Sequence, residues 1–184
     1  IAEEAARRGA RTILVSGPVA LSTPPGVERI DVETAEEMAA AVARNAPFAD
    51  LAILSAAVAD FRPNRPADQK IKKETGPPRI ELEPTTDILA GLAAIAPQAV
   101  RVGFAAETDH VAENARKKLR AKDVHFVVAN DVSRKDIAFG SEANEVTVYA
   151  RLGDETFLPR ASKREIAARL LDLFGEALAT REAS

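Results

Sequence analysis

The chain has 184 residues, 46% of them apolar and 29% charged, and its 25 Lys and Arg against 28 Asp and Glu leave a net charge of −3. That composition describes one folded domain, argues against disorder, and weighs against a nucleic-acid partner held by bulk charge. With no Cys and two His, His110 and His125, the chain can form no disulfide, thiolate nucleophile, zinc–thiolate site or all-imidazole metal site.

Ile1 to Arg8 is rich in Ala, Glu and Arg and reads as a helix that stops at Gly9. A helix that begins at the first residue without a cap predicts a chain that starts inside a larger polypeptide. Thr12 to Ser16 is a short branched apolar strand ending at Gly17-Pro18, and Val27 to Val32 alternates as a half-buried strand does. Thr34-Ala-Glu-Glu37 has capping-box spacing and opens a helix through about Asn45. Leu51 to Ala59 is a near-continuous apolar run, the pattern of a central parallel strand buried on both faces.

Phe61 to Pro84 carries five prolines among many charges. Lys70 to Lys73 and Arg79 to Glu83 alternate there, and predict two strands joined by a turn at Thr75 to Pro78. Beyond it, Asp87 to Ile95 reads as a helix capped by Thr85 or Thr86, and Arg101 to Ala106 as a buried strand. Asp109 to about Ala121 is a basic amphipathic helix, followed by a strand over Val124 to Ala129. Val146 to Ala150 and Glu155 to Leu158 pair as a hairpin across Gly153, and a second capping box, Ser162 to Glu165, starts a helix to about Thr180. Helix and strand signals alternate, so the expected fold is a single doubly wound, mostly parallel α/β domain over residues 1–184 with an inserted β-arm at 61–84. No apolar run reaches the ~18 residues of a membrane span, so a soluble cytoplasmic protein with no membrane partner is the expectation.

In such a sheet, ligands bind outside the carboxyl ends of the strands. The strand ends carry small residues that let a ligand approach the backbone, and Asp60, Glu107 and Asp131 place carboxylates at the same rim. Two basic clusters complement them: Lys70, Lys72 and Lys73 on the arm, and Arg116, Lys117, Lys118, Arg120 and Lys122 on one helix, where Lys118 and Lys122 lie one turn apart. A charge run is most often a solvated face. A net-acidic chain that gathers cations in two places also suits a bound triphosphate, with Mg²⁺ carried in by the nucleotide and its metal ligands unassigned. No dinucleotide glycine fingerprint, P-loop or nucleophile elbow is present.

Ala56-Ala-Val-Ala-Asp60-Phe-Arg-Pro63, Lys70-Ile-Lys-Lys73, Val102-Gly-Phe-Ala-Ala-Glu-Thr108, Ala129-Asn-Asp-Val-Ser133 and Phe139-Gly-Ser-Glu-Ala-Asn144 occur in this order. Together they resemble phosphopantothenate–cysteine ligase, usually the C-terminal half of a bacterial bifunctional coenzyme A biosynthesis protein. The resemblance implies a Rossmann-like fold, a homodimer formed through the arm, and the joining of 4'-phosphopantothenate to L-cysteine with CTP and Mg²⁺ through an acyl-cytidylate. It implies that Lys70 binds nucleotide and assists the activation step, that Asp60 contacts the nucleotide, and that Ser55 and Ala56 lie around the base. It likewise implies nucleotide contacts for Thr86, Asp87, Ile88, Leu89, Phe104, Lys118 and Lys122. FMN would belong only to a fused decarboxylase domain outside this chain.

The family's Asn-Pro-Asp-Ile stretch appears here as Thr85-Thr86-Asp87-Ile88. The family's first strand and its glycine-rich loop, which contacts phosphopantothenate, have no counterpart in this sequence, so the chain alone is expected to show little or no ligase activity. Two other readings remain open at this point: an NAD(P)-binding oxidoreductase of Rossmann type, and a non-catalytic α/β dimerisation module.

Overall fold

A computed structural model describes residues 1–65, 79–107, 109–131, 143–153 and 155–182. In chain order the elements are α1 (Ala2–Arg7), β1 (Thr12–Ser16), β2 (Val27–Asp31), α2 (Ala35–Asn45), a 3-10 turn (Ala46–Phe48), β3 (Leu51–Leu54), β4 (Phe61–Pro63) and β5 (Leu82–Pro84). There follow α3 (Ile88–Ile95), β6 (Val100–Glu107), α4 (Val111–Ala121), β7 (Phe126–Asp131), β8 (Ala143–Ala150), β9 (Glu155–Ser162) and α5 (Lys163–Glu182).

The main sheet has the order β3-β6-β7-β8-β9, with β3, β6 and β7 parallel and the last two strands antiparallel. β1 and β2 form a separate parallel pair, in register from Thr12 beside Val27 to Ser16 beside Asp31. Among the described residues no ladder joins β1 to β3. The link is made by helices instead: α1 packs on β1, β2 and α5, while α2 packs on β1 and α3.

Strand alternation sends side chains into two cores, one on each face. Ala105, Val127 and Ala129 face Leu92 of α3 and Leu119 of α4. Val100, Val102 and Val128 face Leu170 and Phe174 of α5, and Ile1 and Ala5 of α1 pack against that core. The result is a three-layer α/β/α arrangement, as the alternation of sequence signals predicts.

Both capping boxes form. Thr34 Oγ1 accepts from the Glu37 N–H at 3.1 Å, while Glu37 Oε2 accepts from the Thr34 N–H at 3.4 Å. Ser162 Oγ accepts from the Glu165 N–H at 3.2 Å, and Glu165 returns the bond at 2.9 Å. The cap of α3 is Asp87 rather than either threonine, its carboxylate accepting from the Ala90 N–H at 3.0 Å.

The run at Leu51 to Ala59 is strand only to Leu54, and β3 lies at the edge of its sheet rather than at the centre. Leu51 and Ile53 do face one core and Ala52 and Leu54 the other. Among the described residues β3 has no second ladder neighbour, and all four of its residues are half-buried. The β8–β9 hairpin is longer than predicted and absorbs a register shift between Asn144 and Val146. Within the stretch of residues 61–84, β4 pairs antiparallel with β5, Arg62 opposite Glu83. The strand at its C-terminal side therefore sits at Leu82–Pro84 rather than Arg79 to Glu83, while Lys70 to Lys73 and the turn at Thr75 to Pro78 lie outside the described residues.

Candidate functional site

Because β3, β6 and β7 run parallel, their carboxyl ends open on one rim. The chain leaving β3 there, Ser55 to Asp60, has mostly exposed residues, with Ser55, Ala56 and Asp60 all open to solvent. The chain returning from β5 is tied to it twice. Thr85 donates its N–H to the Asp60 carbonyl at 2.9 Å and its hydroxyl to the Ala59 carbonyl at 2.6 Å. Asp87, two residues on, caps α3, while the Thr85 hydroxyl binds the β3 loop.

Asp87 also forms an ion pair with Lys122, the residue that follows α4. Burial by itself would raise its carboxyl pKa. The hydrogen bonds from Lys122 and the Ala90 N–H and the charges of Lys122 and Lys118 outweigh that and hold it below the usual Asp value. One turn back on α4, Lys118 donates from Nζ to the Phe104 carbonyl at 2.6 Å. Two ammonium groups, the first turn of α3, the carbonyl side of β6 and the β3 loop are thus drawn together by five named hydrogen bonds or ion pairs.

Gly103 eases this approach. A Cβ at Gly103 would stand 2.7 Å from Cδ2 of Leu89, so the bare strand lets the Leu89 side chain lie against β6 as it does. Leu89 is buried, Ile88 is half-buried at the helix start, and Thr86 is exposed on the turn before it. The structure therefore gathers Asp60, Asp87, Ile88, Leu89, Phe104, Lys118 and Lys122 around one rim, with Ser55, Ala56 and Thr86 on its exposed loops. Lys70, Lys72 and Lys73 lie outside the described residues, and of Glu107 and Asp131 the backbone pairing alone is described. Thr85, absent from the predicted site, is the residue that joins two of its loops. Its only signal in the sequence is a hydroxyl residue beside two other cap-competent residues.

A second depression, about 520 Å³, lies at the ends of β1 and β2 and is lined by Gly17, Pro18, Asp31, Val32, Glu33 and Glu37. Its three carboxylates would repel a polyphosphate, so the cationic rim over β6 is the better anion site. Among the described residues no group of three His, Asp or Glu side chains could hold a metal ion.

The two histidines stand apart from the rim chemistry. His110 is an exposed residue before α4, with a left-handed φ of 46°. His125, read from sequence as lying within a strand, sits one residue before β7 at the opposite end of the sheet. Its Nδ1 accepts the Arg101 N–H at 3.0 Å, and Arg181 stands 3.3 Å from Nε2. Burial, then the charges of Arg101, Arg181 and Arg151, push its pKa down to about 4 against the opposing pull of Asp123.

Residues 1–177 match the sequence model of the DNA/pantothenate metabolism flavoprotein C-terminal domain. The coenzyme A biosynthesis bifunctional protein CoaBC of Bacillus subtilis (strain 168) is 42% identical over 172 residues, 93% of this chain and 42% of the relative. The protein of the same description from Escherichia coli (strain K12) is 44% identical over 176 residues, 94% of this chain and 43% of the relative. The chain thus spans less than half the length of these curated relatives. The crystal structure of the C-terminal domain of a CoaBC protein superposes with a TM-score of 0.80 at 38% identity, covering 100% of this chain and 81% of the other. By sequence and by fold, the chain belongs to the family of the C-terminal domain of the bifunctional coenzyme A biosynthesis protein CoaBC.

Proposed function

We propose that the chain is the ligase portion of a coenzyme A biosynthesis protein, and that the cationic rim holds the polyphosphate of CTP while 4'-phosphopantothenate is joined to L-cysteine. The observation that carries this is the convergence of Lys118 and Lys122 on the carboxyl end of β6 beside the first turn of α3. In the reaction, a carboxylate oxygen of 4'-phosphopantothenate attacks the α-phosphorus and pyrophosphate leaves. The amine of cysteine then attacks the acyl carbon, CMP leaves, and the amine proton is released. A carboxylate is a poor acyl donor until its oxygen becomes part of a good leaving group, and this is the purpose of the cytidylate.

In this reading Lys118 and Lys122 are point charges that neutralise phosphate oxygens. Before nucleotide arrives, their charge is met by the Phe104 carbonyl and Asp87, which hold both side chains over the rim. Asp60, Ser55 and Ala56 present the loop along which the nucleoside lies, and Thr86, Ile88 and Leu89 bring the helix start to it. Lys70 assists the activation step. Mg²⁺ would come with the triphosphate and would supply charge neutralisation in addition to that of Lys118 and Lys122. Phe61, Ile80 and Leu82 are exposed apolar residues around the β4–β5 pair, and support a homodimer through the arm.

Thermal melts of the full-length protein with CTP, ATP, NADH or no ligand, each with Mg²⁺, test the reading. CTP should raise the melting temperature most, and Lys70→Gln should abolish pyrophosphate release while leaving the melt intact. Greatest stabilisation by NADH would favour a dinucleotide enzyme instead, and undiminished pyrophosphate release by Lys70→Gln would remove that lysine from catalysis.

A further inference from the structure

Among the described residues, one buried side-chain polar atom has no hydrogen-bond partner: Oδ1 of Asn130. An amide oxygen closed off from water and from any donor costs folding free energy, and native chains rarely keep such a group without a use for it. Asn130 stands near the end of β7, directly beside Ala106 of β6. Alternation puts it on the same face as Phe104 and Ala106, and as Ser55 just past β3, since Leu54 pairs with Gly103.

Lower on the sheet that face is covered by α5. At the rim the covering stops: Ser55 and Ala106 are exposed and Phe104 is half-buried. The outcome is a short shelf with an aromatic ring and two small residues on its floor, bordered at β7 by Asn130, whose buried Oδ1 reaches a ligand there once the side chain turns outward. A flat apolar ring with an N–H on one edge matches both properties, its face lying against Phe104 and its edge meeting the oxygen.

We propose that Asn130 is a base-reading residue, whose Oδ1 accepts a hydrogen bond from the exocyclic amino group of a pyrimidine nucleobase lying on this shelf. The inference rests on the nucleotide reading given above and adds to it the group that tells cytosine from uracil. Uracil turns a carbonyl toward the same oxygen, acceptor against acceptor, and a site built around a buried polar group rejects a ligand that leaves it unpaired.

The test is titration calorimetry of the chain with CTP and with UTP, each with Mg²⁺, for the parent, Asn130→Leu and Asn130→Asp, alongside melts without nucleotide. Asn130→Leu removes the orphan oxygen, so its melting temperature should equal or exceed the parent's. Its CTP affinity should fall at least tenfold while UTP binding is unchanged. Asn130→Asp keeps an acceptor and should retain the preference for CTP even if its charge weakens both nucleotides. A lowered melting temperature for Asn130→Leu with undiminished CTP binding would make Asn130 a structural residue and overturn the proposal. So would a CTP-to-UTP ratio that Asn130→Leu leaves unmoved, or a parent that prefers UTP. A parent that binds neither nucleotide refutes the nucleotide reading itself, which separates the two failures.

Discussion

Asp87 performs two tasks with one carboxylate, and substitution can take them apart. It caps α3 through the Ala90 N–H and pairs with Lys122 across to α4. Loss of a good N-cap costs about 1 kcal/mol. The ion pair adds less: its side chains are 46% and 31% exposed, so roughly 0.2–1 kcal/mol is its share. Asp87→Ala should therefore lose about 1–2 kcal/mol at pH 7, whereas Asp87→Asn, which keeps the capping oxygen, should lose less than about 1 kcal/mol. The carboxyl pKa is held below the ordinary value, so the charge-dependent part is fully present above the unfolded value near ~4 and is lost as pH falls through the folded one. The gap between parent and Asp87→Asn should accordingly close in acid, while the gap to Asp87→Ala should persist in part. Urea unfolding followed by circular dichroism at pH 7 and pH 3 reads both gaps. If Asp87→Asn falls as far as Asp87→Ala at pH 7, the capping oxygen is not what holds the start of α3.

At the other end of the sheet, neutral His125 is preferred by the fold, its pKa being pushed down to about 4. Its contribution is complete above the unfolded value of ~6.5 and is lost as pH falls from there toward 4. Because the ring is only half shielded, the loss should be about 1–2 kcal/mol rather than the full linkage value. Asn in its place can still accept the Arg101 N–H, so unfolding of His125→Asn should be less sensitive to pH between 6.5 and 4; an equal slope would exonerate the ring. Gly103→Ala should cost about 1 kcal/mol or more, since its Cβ meets Leu89 at 2.7 Å. The penalty should shrink in a Leu89→Ala background, and strictly additive urea midpoints would show that the two positions do not press on each other.

Much of this architecture is legible in the chain because short-range chemistry agrees with the fold. Thr34 to Glu37 and Ser162 to Glu165 announce helix starts by spacing alone, and both boxes close. The basic helix places Lys118 and Lys122 one turn apart, and both reach the rim. Decisions taken by distant partners were not legible. Three consecutive residues, Thr85, Thr86 and Asp87, can each cap a helix; Asp87 takes the start of α3, while Thr85 binds the Ala59 carbonyl. The apolar run at Leu51 reads as a central strand, yet ladder position is a property of the whole sheet, and β3 ends as an edge. Asn130 stands in the sequence as one more polar residue at a strand end. Only the packing around it leaves its oxygen without a donor.

The division between the β1–β2 pair and the five-stranded sheet has a mechanical consequence. Arg8 moors α1 to α5 through Asp172 at 2.6 Å and the Ala168 carbonyl at 2.9 Å, and helix packing carries the rest of the coupling. Among the described residues a tilt of the pair against the larger sheet breaks no main-chain ladder bond, so its resistance is set by side-chain packing and by ties such as the Arg8 clasp and the Arg62–Glu36 ion pair. Opening at that seam is a sub-global event, cheaper than melting β6 from β7, and it leaves the lysine-bearing rim standing.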